Sequence, residues 1–89
     1  MRTQRTYKSI EAVVQRIPVG SGWYAGFGYE ATEGTNIISG GNYLETTHAT
    51  FREAQDAAFA AAKTYRNVVL TLGGCTFETL PTIRFRRIQ

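Results

Sequence analysis

Trp23-Tyr24-Ala25-Gly26-Phe27-Gly28-Tyr29-Glu30-Ala31-Thr32 decides the fold. Trp23, Ala25, Phe27, Tyr29 and Ala31 alternate with Tyr24, Gly26, Gly28, Glu30 and Thr32. Ten residues of period two predict a strand with one large, aromatic face and one small, polar face. Gly20-Ser21-Gly22 precedes it as a turn, and Glu33-Gly34 follows it, with Gly34 free to take positive φ. Upstream, the β-branched run Ile10 to Ile17 ends at Pro18 and predicts a first strand. Downstream, Thr35 to Thr47 predicts a third strand, with a bulge or kink at Gly40-Gly41.

Thr50-Phe51-Arg52-Glu53 has the spacing of a capping box, with Thr50 as N-cap. Phe51, Ala54, Ala58, Ala61, Ala62 and Tyr65 then recur on one helical stripe. The alanines make that stripe flat, so the helix can lie close over the aromatic face of the second strand. Asn67 is read as the C′ residue, Val68 to Leu72 as a strand, Gly73-Gly74 as a turn and Cys75 to Leu80 as a further strand. After Pro81, Ile83 and Phe85 alternate with Arg84 and Arg86 in a last strand-like piece. The fold class expected is therefore α+β. It is a small antiparallel sheet in the order β-β-β-α-β, with one or two extra C-terminal strands and a single amphipathic helix on one face.

Eighty-nine residues fit one domain, 1–89, with 1–6 expected to be a flexible basic N-terminus. At 43% hydrophobic and 19% charged residues the composition is globular. No apolar run approaches the roughly 20 residues of a membrane helix, and Met1-Arg2-Thr3-Gln4-Arg5 leads into no apolar signal core. Cys75 is the only cysteine and cannot form an internal disulfide, which suits a reducing cytoplasm. The expectation is a cytoplasmic protein with no membrane partner.

The net charge of +3 is unevenly laid out. Residues 1–16 carry Arg2, Arg5, Lys8 and Arg16 against Glu11; residues 17–51 carry Glu30, Glu33 and Glu45 and no Lys or Arg; Arg84, Arg86 and Arg87 close the chain. The chain is basic at both ends and acidic in the middle. Arginine suits planar contacts to phosphate or carboxylate and stacks on aromatic rings.

The catalytic inventory is small: one His, one Cys and one Asp. His48 and Cys75 are too few to hold a metal, and Glu30, Glu33 and Glu45 lack ligand spacing. No GxxxxGK[ST] loop is present, and Gly26-x-Gly28 sits inside a strand rather than before a helix. The threonines have no adjacent base to activate them. Neither catalysis, nor a cofactor, nor a metal is expected.

Ala25-Gly26-Phe27-Gly28-Tyr29 resembles part of the RNP1 motif of RNA-recognition and cold-shock domains. That resemblance implies Phe27 and Tyr29 as base-stacking platforms. It covers five residues. The motif's leading Lys or Arg is replaced by Tyr24-Ala25, and Glu30 stands after the second aromatic. The element order also differs, since RNA-recognition domains place a helix between their first two strands and cold-shock domains are all β. The competing reading packs Phe27 and Tyr29 under the helix and leaves the opposite, glycine-bearing face for another backbone or a partner.

Two functional readings follow. The first is a non-catalytic interaction protein that binds a larger protein partner. Phages and mobile elements encode short, single-domain inhibitors or adaptors of this type, anti-CRISPR and other anti-defence proteins among them. The second is a nucleic-acid-binding module using Arg-rich termini and sheet aromatics. The contacts expected for either are Arg2, Arg5, Lys8, Tyr24, Glu30, Glu33, Tyr43, Arg84, Arg86 and Arg87. A homodimer through exposed strand edges is compatible with both.

Overall fold

The computed structural model describes residues 5–72, 75–77 and 82–88. Within them the chain runs β1 (Arg5–Arg16), β2 (Trp23–Glu33), β3 (Asn36–Tyr43), α1 (Phe51–Leu72), β4 (Cys75–Phe77) and β5 (Ile83–Ile88). The result is an α+β fold, one helix packed on one sheet. The sheet has four lanes in the order β3-β2-β1-β4, and β5 also pairs with β1. β4 lies beside Arg5–Tyr7 and β5 beside Ile10–Gln15, so both occupy the same outer lane.

β1, β2 and β3 pair antiparallel, as expected of strands joined by short turns. Gly34 takes φ 61° in the β2–β3 turn. β4 and β5 pair with β1 in parallel, so the sheet is mixed rather than wholly antiparallel. The helix is the reason: it carries the chain back along the sheet, so the next strand starts at the same end as β1.

The alternation in β2 holds. Trp23, Ala25, Phe27, Tyr29 and Ala31 all pack into the helix-side core. They meet Ile10, Ala12 and Val14 of β1 and the alanine stripe Ala54, Ala58 and Ala62, all fully buried. The chain through Thr50 starts the helix as its sequence implies. Thr50 Oγ1 accepts from the Glu53 backbone N–H at 3.2 Å, and Ala54 N–H donates to the Thr50 carbonyl at 3.2 Å.

Three local readings are corrected. First, Val68 to Leu72 is not a strand; α1 continues to Leu72. Val69 lies one turn beyond Tyr65 and is buried against Tyr7 and Ala31, which only the helical path allows. Second, β3 ends at Tyr43 and its register with β2 runs unbroken through Gly40 and Gly41, so there is no bulge. The glycines answer a crowding problem instead. A Cβ on Gly40 would lie 2.8 Å from the Tyr29 hydroxyl, and one on Gly41 would meet the Phe27 carbonyl oxygen. Third, β1 starts at Arg5, so Arg5 and Thr6 are strand residues. The register shifts between Tyr7 and Ser9, a one-residue bulge at Lys8. The bulge resets the alternation, so Tyr7 and Ile10 both reach the core. Residues 1–4, Gly73 and Gly74 (expected as a turn), Glu78 to Pro81 and Gln89 lie outside the described residues.

Candidate functional site

α1 covers one face of the sheet and leaves the other open. Cross-strand register sorts that open face. Glu11, Val13 and Gln15 of β1 stand opposite Gly28, Gly26 and Tyr24 of β2. Ser39, Gly41 and Tyr43 of β3 stand opposite Glu30, Gly28 and Gly26. On the other side, Arg84, Arg86 and Ile88 stand beside Glu11, Val13 and Gln15.

Of these, Glu11, Val13, Gly28, Gly41, Tyr43 and Arg86 are among the residues that line an open hollow of about 480 Å³; Tyr24, Glu30 and Arg84 share the face but lie outside the lining. Glycine forms its floor. Tyr43 drapes across Gly26, where a Cβ would lie 3.0 Å from its ring, and its hydroxyl donates to Gln15 Oε1 at 2.7 Å. Tyr24 leans on Tyr43 with ring centroids 5.8 Å apart. Arg86 approaches Glu11 at 3.7 Å on the far wall. Gly28 differs from its neighbours. A Cβ there would meet nothing nearer than the Gly40 carbonyl oxygen at 3.4 Å, so packing does not require glycine. Its effect is to keep the hollow deep.

The helix face explains Phe27 and Tyr29. Tyr65 stacks on both, at 4.7 Å from Phe27 and 5.4 Å from Tyr29, with planes inclined by 24° and 18°. The rings that the RNP1 resemblance would offer to bases are stacked on the protein's own helix. Sequence reasoning missed Tyr65 as their partner, although its place on the helical stripe pointed there.

Arg5 and Glu33 face each other across β1 and β2 and pair at 2.8 Å. Arg5 Nη1 also donates to the Tyr7 hydroxyl at 3.2 Å, and the Tyr7 and Tyr65 hydroxyls share a hydrogen bond at 2.8 Å. The hydrogen bonds from Arg5 to Tyr7 and to Glu33 hold its guanidinium above the ordinary arginine range. Burial, then the bond to Tyr7, pushes the Tyr65 phenol up from its ordinary value. Arg5 and Glu33, two of the expected partner contacts, are thus paired with each other across β1 and β2, and Tyr7 carries the network on to the helix.

Tyr24, Glu30, Tyr43, Arg84 and Arg86 share the open face, spread along it, with Tyr24 and Tyr43 in contact. Lys8 is exposed at the bulge, and Arg2 lies outside the described residues. Arg87 leaves the group. Strand alternation sends it to the helix side, where its guanidinium sits 5.1 Å from the Trp23 ring and 4.8 Å from the Phe51 ring. Phe85, on the same side, stacks on Phe59 and meets Phe51 edge-on. The basic tail is thus divided between two faces. On the open one Arg84 and Arg86 are matched by Glu11 and Glu30.

His48 exchanges both backbone hydrogen bonds with Trp23, at 2.8 and 2.9 Å, in an isolated bridge beyond β2. Its Nε2 is buried without a hydrogen-bond partner. Among the described residues no three His, Cys, Asp or Glu side chains converge, and no helix is long and apolar enough to cross a membrane. No protein-family model, curated protein or solved structure matches the chain.

Proposed function

We propose that the chain is a non-catalytic interaction protein that receives a protein partner on the open face of its sheet. It would act as a short inhibitor or adaptor of the type phages and mobile elements encode. One observation carries the reading: Tyr43, Arg86 and Glu11 line a glycine-floored hollow that the helix leaves bare, with Tyr24 leaning on Tyr43. Tyrosine and arginine are the residues that protein interfaces concentrate, because each brings large contact area with a polar tip. A hollow floored by Gly28 admits a side chain or a strand backbone from the partner.

Charge favours protein over nucleic acid. A phosphate backbone needs a surplus of cations along its path. Here Glu11 and Glu30 offset Arg84 and Arg86, and a face of mixed sign suits a partner of complementary mixed sign.

The test is capture of partners by the tagged full chain from its native cell, with nuclease treatment, comparing wild type with Gly28→Leu. The leucine Cβ fits, and the rest of its side chain fills the hollow. The expected outcome is one stoichiometric protein held by wild type, lost from Gly28→Leu and retained by Val19→Ala, a change on an exposed loop. Equal capture by Gly28→Leu would remove the open face from the interface. Nuclease-sensitive recovery of nucleic acid alone would replace the protein reading.

A further inference from the structure

At the end of the sheet where β1 stops and β2 starts, Arg16, Trp23, Arg87 and Ile88 line a second hollow of about 250 Å³. Its two cations are positioned differently. Arg16 stands opposite Trp23 in the β1–β2 register. Arg87 comes from β5, and its guanidinium carbon sits 5.1 Å from the Trp23 ring centroid and 4.8 Å from that of Phe51, two rings that meet edge-on at 5.2 Å.

A cation held over aromatic rings is attracted by their electron-rich faces, and a guanidinium has five N–H donors, more than that contact can occupy. Among the described residues neither Arg16 nor Arg87 forms an ion pair with a carboxylate. Arg5 and Arg86, by contrast, each face a glutamate. Two guanidinia thus share one small hollow with no anion from the described residues between them. Like charges held together repel, and an oxyanion between them relieves that repulsion while accepting from both.

The geometry points to an oxyanion-binding pocket formed by Arg16 and Arg87 on the Trp23 ring, which takes a carboxylate-bearing side chain of the partner protein. The choice of carboxylate rests on the protein-binding reading above; the pocket itself does not. Ile88 connects the two. It borders this hollow and the open-face hollow alike, so a partner seated on the open face reaches the pocket round the end of β5. Bidentate geometry between guanidinium and carboxylate then fixes how the partner is turned.

Trp23 is the only tryptophan of the chain, so its fluorescence reports on this pocket alone. The full-length protein is titrated with glutarate, with inorganic phosphate and with chloride at matched ionic strength. The expected result is a saturable change with glutarate in the millimolar range, absent with chloride and weaker by about tenfold or more in both Arg87→Gln and Arg16→Gln. Arg16 is exposed, so its variant guards against a folding artefact at Arg87. No response to either anion overturns the pocket, whether or not a protein partner is captured. Phosphate binding about tenfold tighter than glutarate overturns the carboxylate assignment and points to a phosphorylated ligand.

Discussion

Glycines at three positions in β2 and β3 are of two kinds. Gly26 and Gly41 are demanded by their neighbours: a Cβ on Gly26 would meet the Asn42 carbonyl oxygen and come within 2.9 Å of Tyr43 Cα, and one on Gly41 would come within 2.9 Å of Gly28 Cα. Gly28 is not demanded. Urea denaturation should therefore show Gly26→Ala and Gly41→Ala destabilised by about 1–3 kcal/mol, as overpacking costs. Gly28→Ala should stay within about 0.5 kcal/mol of wild type. A second residue-scale prediction comes from Tyr65. Its phenol is held neutral by burial and by the bond to Tyr7, so its titration is raised above the ordinary value near 10. The unfolded chain loses that proton first as the pH climbs. Stability from this group is whole below about pH 10 and falls as the pH rises above it. Urea midpoints measured from pH 8 to 11 should decline in wild type, and Tyr65→Phe should flatten the decline.

At the scale of elements, α1 reaches further than its alanine stripe suggests. Twenty-two residues make a helix about 33 Å long, so it spans the sheet from Trp23 at one end to Tyr7 at the other. Ala54, Ala58 and Ala62 keep it close to β1 and β2, and Val69 anchors its last turns. Overfilling the close contact with Ala58→Leu should cost about 1–3 kcal/mol. Val69→Ala should cost about 1–2 kcal/mol, whereas Leu70→Ala, at 51% exposure, should change stability by less than about 0.5 kcal/mol. Thermal denaturation of the three variants checks these costs.

As a whole the molecule is long and thin. Its Cα radius of gyration is 14.2 Å, with extents of 48 × 22 × 20 Å, against about 12 Å for a compact chain of this length. Among the described residues Ile10 and Val14 are the largest side chains with no exposure, and the core is a thin layer between sheet and helix whose aromatic rings are only partly buried. Much of the surface is accordingly free for contact, and its charge is dispersed. The +3 of the whole chain does not gather into one basic patch: Arg5 meets Glu33, Arg86 meets Glu11, and Arg87 lies on the opposite face. Binding to mixed-sequence oligonucleotides at physiological salt should therefore be weaker than about 0.1 mM, the loose end of non-specific affinity. Fluorescence anisotropy checks this; a micromolar, steeply salt-dependent affinity would restore the nucleic-acid reading.

The sequence alone determined which residues of β2 and of the first four turns of α1 face the core. The alternation of Trp23 to Thr32, the Thr50 cap and the alanine stripe are local patterns, and local sterics with solvent exclusion act on them wherever the rest of the chain lies. Pattern also implied that Tyr24, Tyr43, Arg84 and Arg86 lie on strand faces, though not that they share one. Tertiary structure decided the rest. Val68 and Val69 carry strand propensity, but burying Val69 on Tyr7 and Ala31 rewards the helix, and packing outweighs a propensity of a few tenths of a kcal/mol. The parallel lane of β4 and β5, and with it the meeting of Arg16, Trp23 and Arg87, depends on where the helix returns the chain. Contacts between residues some seventy positions apart are not written in any local period.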